Sequence, residues 1–228
     1  MYTNVNLAAP VGALVFLGTG LLLFVVALAL VYSVVRKKSR LTKFALVTIA
    51  LVAGLYLGIL LLFSFASSEN VIARGEEKHF CEIDCHLAYS VTDVRETKTL
   101  GDAPNQLTAV GVFHVVTIKT RFDENTISPH RGNALLHPNS RVVTVSDQNG
   151  NQYSPSAEAH GLLEKSQSAG TPMTIPLRPS ESYSTTLVFD LPADIKDPTL
   201  LIREGELVTH LVIGHENSPL HKKTRFQI

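Results

Sequence analysis

Hydrophobicity along the chain falls into two regimes. Residues 11–35 and 44–66 are apolar runs of 25 and 23 residues without a charged side chain, and each exceeds the roughly 20 residues that span a bilayer's hydrocarbon core. Beyond residue 78 the pattern becomes an alternation of apolar and polar positions, the period of strands with one dry and one wet face. From Cys81 to Val91 the odd positions are Cys81, Ile83, Cys85, Leu87, Tyr89 and Val91, while the even ones include Glu82, Asp84, His86 and Ser90. This predicts a strand with both cysteines on its core face. Leu107 to Phe122 predicts a second strand, with Val110, Val112, Val116, Ile118 and Phe122 on one side. Arg141 to Ser146 is a third, closed by Asp147-Gln148-Asn149-Gly150-Asn151, where Asn-Gly supplies the positive φ of a hairpin turn. Residues 154–171 fit a short helix or a loop. An alternating strand from Tyr183 ends at Pro192, and Leu200–Ile202, Leu207–Ile213 and Thr224–Ile228 supply more. The pattern predicts a two-helix transmembrane hairpin followed by an all-β antiparallel sandwich of seven or eight short strands.

The boundaries follow. Residues 1–68 form the hairpin, with spans at about 11–35 and 44–66 and a loop at 36–43. Residues 69–78 read as a polar tether, and 79–228 as one external domain, long enough for a single core. Charge sets the orientation. The loop carries Arg36, Lys37, Lys38, Arg40 and Lys43 and no acidic residue, and short basic loops stay on the cytoplasmic side. Both termini and the β-domain are therefore expected outside. A cleaved signal peptide would need a basic start and a shorter apolar core, and residues 1–35 hold no Lys or Arg.

The net charge of zero cancels two compartments: the loop holds 5 of the 20 basic residues, leaving 15 against 20 acidic ones outside. A mildly acidic exterior argues against nucleic acid, which selects a basic stripe, and against an anionic lipid surface.

The run "DQNGNQYSP", then "LRPSESYSTTLVFDLP" and "PTLLI", resembles an immunoglobulin-like sandwich domain of unknown function found on bacterial membrane-anchored proteins and lipoproteins. That family carries a D-x-x-G-x-x-Y hairpin, an L-x-P-G-x-S turn and a V-F-D-V-P strand. Ser180 stands here where the turn glycine is usual. The resemblance covers about residues 107–202 and implies fold and a bacterial cytoplasmic membrane, with no shared catalytic residues. The membrane layout is also similar to that of cytochrome c oxidase subunit II. Its copper loop shares the Cys-x-x-x-Cys spacing, but Tyr89 and Thr92 occupy the places of its histidine and methionine.

Chemistry concentrates in "KHFCEIDCHLAYS", with His79, Cys81, Cys85 and His86 close together. One reading is copper or another metal held by thiols and imidazoles. A second is haem, although Cys-x-x-Cys-His is the attachment signal and "CEIDCH" has one residue more. A third is a disulfide, which a continuous strand forbids: four strand residues separate the Cα atoms by about 13 Å, and a disulfide needs less than about 7 Å. The reading favoured by the alternation is two small buried thiols with no cofactor. The nine histidines, His79, His86, His114, His130, His137, His160, His210, His215 and His221, all lie outside the spans. None pairs at i, i+2 or i, i+4, and most are expected at or near the surface. His114 and His210 fit satisfied core groups, and the polar stretch from His215 to Lys223 fits a docking edge. No Ser/His/Asp set, phosphate-cradling loop or His-Glu-x-x-His helix is present, so no enzyme activity is expected.

In the second span Ala50, Gly54 and Gly58 recur every four residues, a stripe that lets another helix approach closely. It serves equally the hairpin's own packing or another subunit. Neither span holds an ionisable side chain of the kind a proton or ion path uses. The sequence thus points to a non-enzymatic, membrane-anchored accessory subunit whose partners are the bilayer and other membrane-protein subunits, within an electron-transfer or other energy-transducing complex. The alternative is a copper or haem redox module.

Overall fold

The computed structural model describes residues 1–81, 85–126 and 132–228. Glu82, Ile83, Asp84 and His130 lie outside the described residues. The chain divides into two compact units. One comprises Met1–Asn4, Ser68–Glu206 and Lys223–Ile228; the other comprises Val5–Ser67 and Leu207–Lys222. The interval 207–222, expected to hold a strand, is therefore packed with the hairpin instead.

The helical unit holds α1 (Ala9–Val35) and α2 (Ser39–Phe65), each 27 residues and so about 40 Å long. Both are long and apolar enough to cross a membrane. Pro10 opens α1, where its missing N–H costs nothing. Their seam uses small residues: Ser33, Ala45 and Ser64 are buried, and the Ser33 and Thr42 hydroxyls are 2.9 Å apart across it. Most leucines and valines of the pair point outward, as they should when the solvent is hydrocarbon.

The β-rich unit has two five-stranded sheets. The first runs β1 (Tyr2–Thr3), β3 (Lys78–Phe80), β4 (Leu87–Leu100), β5 (Leu107–Phe122), β8 (Ser182–Leu191); the second runs β2 (Asn70–Ile72), β10 (Thr224–Gln227), β9 (Thr199–Glu204), β6 (Arg141–Ser146), β7 (Gln152–Tyr153). The expectation of an all-antiparallel arrangement is corrected at two places: β1 pairs β3 and β2 pairs β10 in parallel. Both parallel strands flank the hairpin, and residues 69–78 are strand at both ends rather than a free tether.

One core joins the sheets, with Val116, Ile118 and Phe189 from the first meeting Val145, Leu200, Ile202 and Phe226 from the second. Each such side chain contributes about 1.5–3 kcal/mol on burial. A smaller cluster forms where α3 (Ala157–Lys165) covers Phe113, Val115 and Val188. Ser156 caps this helix through the Ala159 N–H. With α3 on one side and the second sheet on the other, β5 is buried on both faces, so its middle departs from simple alternation. Val110, expected on the core face, is 96% exposed. Next to it Gly111 lets β8 approach, since a Cβ there would meet the Leu191 carbonyl oxygen. At the β6–β7 turn Gly150 has φ +83°, as the Asn-Gly signal requires, and Ser180 has φ +66° at the site where the related turn carries glycine.

Candidate functional site

The strand expected from Cys81 to Val91 is interrupted. β3 ends at Phe80 and β4 begins at Leu87, and between them Cys81 and Cys85 form a disulfide with Cα atoms 4.1 Å apart. That distance replaces the 13 Å separation that argued against the bond. Both cysteines are buried, but as a covalent staple rather than as two free thiols.

The register explains what surrounds the staple. His79 of β3 lies opposite Ala88 of β4, which lies opposite Arg121 of β5. Residues opposite one another share a face, and the short Ala88 methyl lets side chains meet over it. Glu77 and His79, and Arg121 and Asp123, are i, i+2 pairs on that face. Arg121 makes a two-pronged contact with Glu77 at 2.7 and 2.6 Å and reaches Asp123 at 3.0 Å. Asp123 also meets His79 Nε2 at 2.8 Å and accepts from the Asn125 N–H. His86 Nδ1 lies 2.6 Å from the Asp123 carbonyl oxygen and 3.0 Å from the Thr126 hydroxyl, and its ring stacks on Phe122. Asn4 accepts from the Cys81 N–H and donates to Glu204.

Electrostatics follow from this geometry. Burial pushes the Asp123 carboxyl up, but His79, the Asn125 N–H and Arg121 outweigh it and hold the group down at about 2. The Arg121 hydrogen bond lowers Glu77, and Glu77 in turn raises Arg121.

The donor atoms of Glu77, His79 and Asp123 lie within 4.8 Å of one another, close enough to share a cation. Arg121 already binds both carboxylates, so a metal would have to displace a guanidinium. Sulfurs joined to each other present no thiolate to copper and no thiol to a haem vinyl. Of the residues weighed for a cofactor, the structure brings together His79, Cys81, Cys85 and His86, with His79 and His86 both turned to Asp123.

The histidines are more buried than expected: His79, His86, His114, His215 and His221 are all inside. Burial lowers the pKa of His114, against an opposing pull from Glu96. His210 lies in a 3₁₀ turn, not a strand. Lys78, read as the end of a tether, has no exposed surface and donates to the Ile202 and Thr224 carbonyls at 3.2 and 3.0 Å. The polar stretch from His215 is not an exposed edge, for His215, Glu216, Asn217 and Ser218 are buried in the helical unit. Sequence reasoning missed Glu77, Arg121 and Asp123. Their signal was present in the two i, i+2 charged pairs, but only the register aligns them.

A cleft of about 790 Å³ opens between β6 and β8 under α3, lined by Arg141, Val143, His160, Met173 and Leu187. The Arg141 guanidinium there bonds the Tyr89 hydroxyl through Nε at 3.1 Å and lies over the Phe80 ring.

In the helical unit the small-residue stripe is resolved. Ala50, Gly54 and Gly58 are exposed, and a Cβ added at Gly54 or Gly58 would meet nothing within 4 Å. At 100° per residue Gly54 stands about 180° around α2 from the buried seam residue Ala45. The stripe does not pack the hairpin. Arg36, Lys37 and Lys38 are exposed between the helices, while Arg40 and Lys43, expected in the loop, are exposed in the first turns of α2.

No protein-family model matches the sequence, and no curated protein matches it. Among solved structures, the secreted protein MPT63 from Mycobacterium tuberculosis is similar at 10% identity with a TM-score of 0.40, covering 71% of this chain and 98% of that one. A conserved hypothetical protein from Bacillus anthracis is similar at 17% identity and a TM-score of 0.38, covering 56% and 90%.

Proposed function

We propose that the chain is a non-enzymatic accessory or structural subunit of a bacterial cytoplasmic membrane. The hairpin anchors it with both termini outside, and an external, immunoglobulin-like sandwich contacts other proteins. The observation that carries this reading is the open face of Ala50, Gly54 and Gly58. Glycine at that spacing on a helix surrounded by lipid gains nothing from the lipid, and permits close backbone approach by another helix. The hairpin's own seam lies on the other side of α2, so the approaching helix belongs to another subunit. The spans contribute contact rather than chemistry, because their apolar windows carry no acidic, basic or histidine side chain. Outside, the charged groups we find clustered are already paired with one another, which suits a rigid contact module better than a reaction centre. An electron-transfer or other energy-transducing complex is the host class suggested by the membrane layout.

The test is photocrosslinking in native membranes from a probe at Leu57, which is 52% exposed beside Gly58. A stoichiometric adduct with another membrane protein supports the reading. A probe that reacts only with lipid removes it.

A further inference from the structure

We propose that residues 207–222 form a third membrane element, a re-entrant wedge that lies in the outer leaflet against the hairpin with its apolar side facing lipid. The inference rests on the two-span reading of the hairpin. It starts from a polarity that is inverted. Leu207 is 83% exposed, Val208 50% and Leu211 49%, while Thr209, His215, Glu216, Asn217, Ser218 and His221 are buried. A surface loop in water does the opposite. In hydrocarbon this is the required arrangement, since irregular backbone is tolerated there only when its polar groups are turned inward and satisfied.

Several of the inward groups bond one another or the residues leading into α1. Asn217 donates from Nδ2 to the Thr209 hydroxyl at 2.7 Å, and its N–H donates to His215 Nδ1 at 3.0 Å. The Ser218 hydroxyl donates to the Val212 carbonyl at 2.7 Å, and the Asn6 N–H donates to the Gly214 carbonyl. These bonds hold a 3₁₀ turn, Leu207–Leu211, and the bends after it.

The position along the helices is the second, independent observation. The Tyr56 hydroxyl donates to the Leu211 carbonyl at 2.5 Å, and Gly12 is packed against Ile213, whose carbonyl oxygen would lie 3.1 Å from an added Cβ. Tyr56 is nine residues before the end of α2, about 13 Å along its axis, and Gly12 is about 5 Å from the start of α1. Helices of about 40 Å overhang a 30 Å hydrocarbon layer by about 5 Å at each end. The wedge therefore occupies the outermost 0–8 Å or so of the hydrocarbon. Its exposed apolar side chains continue at the depth of Leu14, Leu17 and Leu62, which are 70%, 65% and 64% exposed. Gly12 serves as the notch, and Tyr56 fixes the depth. Lipid is the occupant this continuity selects.

The test uses the full chain in phosphatidylcholine nanodiscs, with an environment-sensitive fluorophore on a single introduced cysteine. The native cysteines are disulfide-bonded and stay unlabelled without reductant. Sites are Val208→Cys and, as a second position, Leu211→Cys, with Leu28→Cys in the span and Val110→Cys on the external domain as references. The expected result is a blue-shifted emission at residues 208 and 211, quenched at least threefold more strongly by a nitroxide near the lipid headgroup than by one at the chain terminus. Iodide should quench them at most a third as well as at residue 110. Water-like emission and iodide quenching at residues 208 and 211, with residue 28 quenched by lipid, would overturn the wedge alone. Protection from both quenchers would also overturn it, by showing a protein covering. Failure of lipid to quench residue 28 would instead remove the two-span reading on which the wedge depends.

Discussion

Replacing Asp123 by Asn tests whether the network beside the disulfide stabilises the β-rich unit as a charged unit. In the folded chain this carboxylate meets His79 and Arg121 and sits at about 2 rather than 3.8. A carboxyl displaced that far contributes at most about 2.5 kcal/mol at neutral pH. Asp123 is 13% exposed but Arg121 is 30% exposed, so water screens part of the interaction and the expected contribution is about 1–2 kcal/mol. The sign is fixed by the depressed pKa. The stabilisation is fully present above the unfolded value and is lost as pH falls through about 4 toward 2. Glu77, also lowered by Arg121, is lost over the same acid range, so the wild-type curve alone does not isolate Asp123.

The difference between variant and wild type does. Thermal unfolding of the full chain in detergent, followed by circular dichroism in the β region, should place Asp123→Asn about 3–6 °C below wild type at pH 7 for a domain of this size. That gap should narrow steadily from pH 4 to pH 2 as the wild-type carboxylate takes up its proton. A gap that stays constant to pH 2 would refute the electrostatic argument and leave only packing. Equal melting temperatures at pH 7 would refute the network as a stabilising element.

Four further outcomes follow from the geometry. Gly54→Leu, which enters open space, should leave the hairpin's stability within about 0.5 kcal/mol and abolish the Leu57 crosslink to a partner. Ala45→Leu, at a seam position 2% exposed, should destabilise the hairpin itself by about 1–3 kcal/mol in detergent unfolding; identical behaviour of the two would end the division of faces. Ser180→Gly should raise the β-rich unit's melting temperature by about 1–3 °C, because a side chain at φ +66° costs about 1–2 kcal/mol and glycine's entropy returns only part of that; unchanged or lower stability would show that the serine side chain compensates. Converting Cys81 and Cys85 to Ser should cost about 2 kcal/mol, the loop-closure value for so short a ring, and wild type in reductant should match the variant's urea midpoint.

How much was legible depended on whether a segment's pattern had one cause. β5 and β6 run over Leu107–Phe122 and Arg141–Ser146, the ranges the alternation marks, although in β5 the cover on both faces blurs which side is the core and leaves Val110 exposed. The two long helices were equally plain. The Cys81–Val91 alternation misled because apolar residues at odd positions satisfy a strand and also a staple followed by a strand. Period two cannot register a covalent bond, and Lys78 carried no sign that two carbonyls would receive its ammonium inside the core. The stretch Leu207–Ile213 fits a strand by composition, yet Leu207–Leu211 is a 3₁₀ turn with Leu207, Val208 and Leu211 exposed. The catalogue of histidines failed for a related reason: spacing along the sequence tests for ligands on one element, while His79 and His86 meet Asp123 from three separate segments.

The parallel pairs bear on how the β-rich unit is completed. β2 follows directly on α2, and its partner β10 is the last strand of the chain, so almost the whole domain must be synthesised before Asn70 can pair with Thr224. Closing so long a loop is slow unless the intervening structure has already brought its ends together. The antiparallel β4–β5–β8 set supplies that structure from closer neighbours, which makes β10 a late addition that locks both Phe226 into the core and the Thr224 carbonyl over Lys78. Phe226→Ala should then cost about 3–5 kcal/mol, and nearly all of it should fall on the unfolding rate. At 1.4 kcal/mol per tenfold, unfolding accelerates at least about 100-fold while refolding stays within about threefold. Urea-jump kinetics on the full chain in detergent measure both arms. Refolding slowed in proportion to the lost stability would place β10 in the nucleus, and the order of assembly argued from the topology would be wrong.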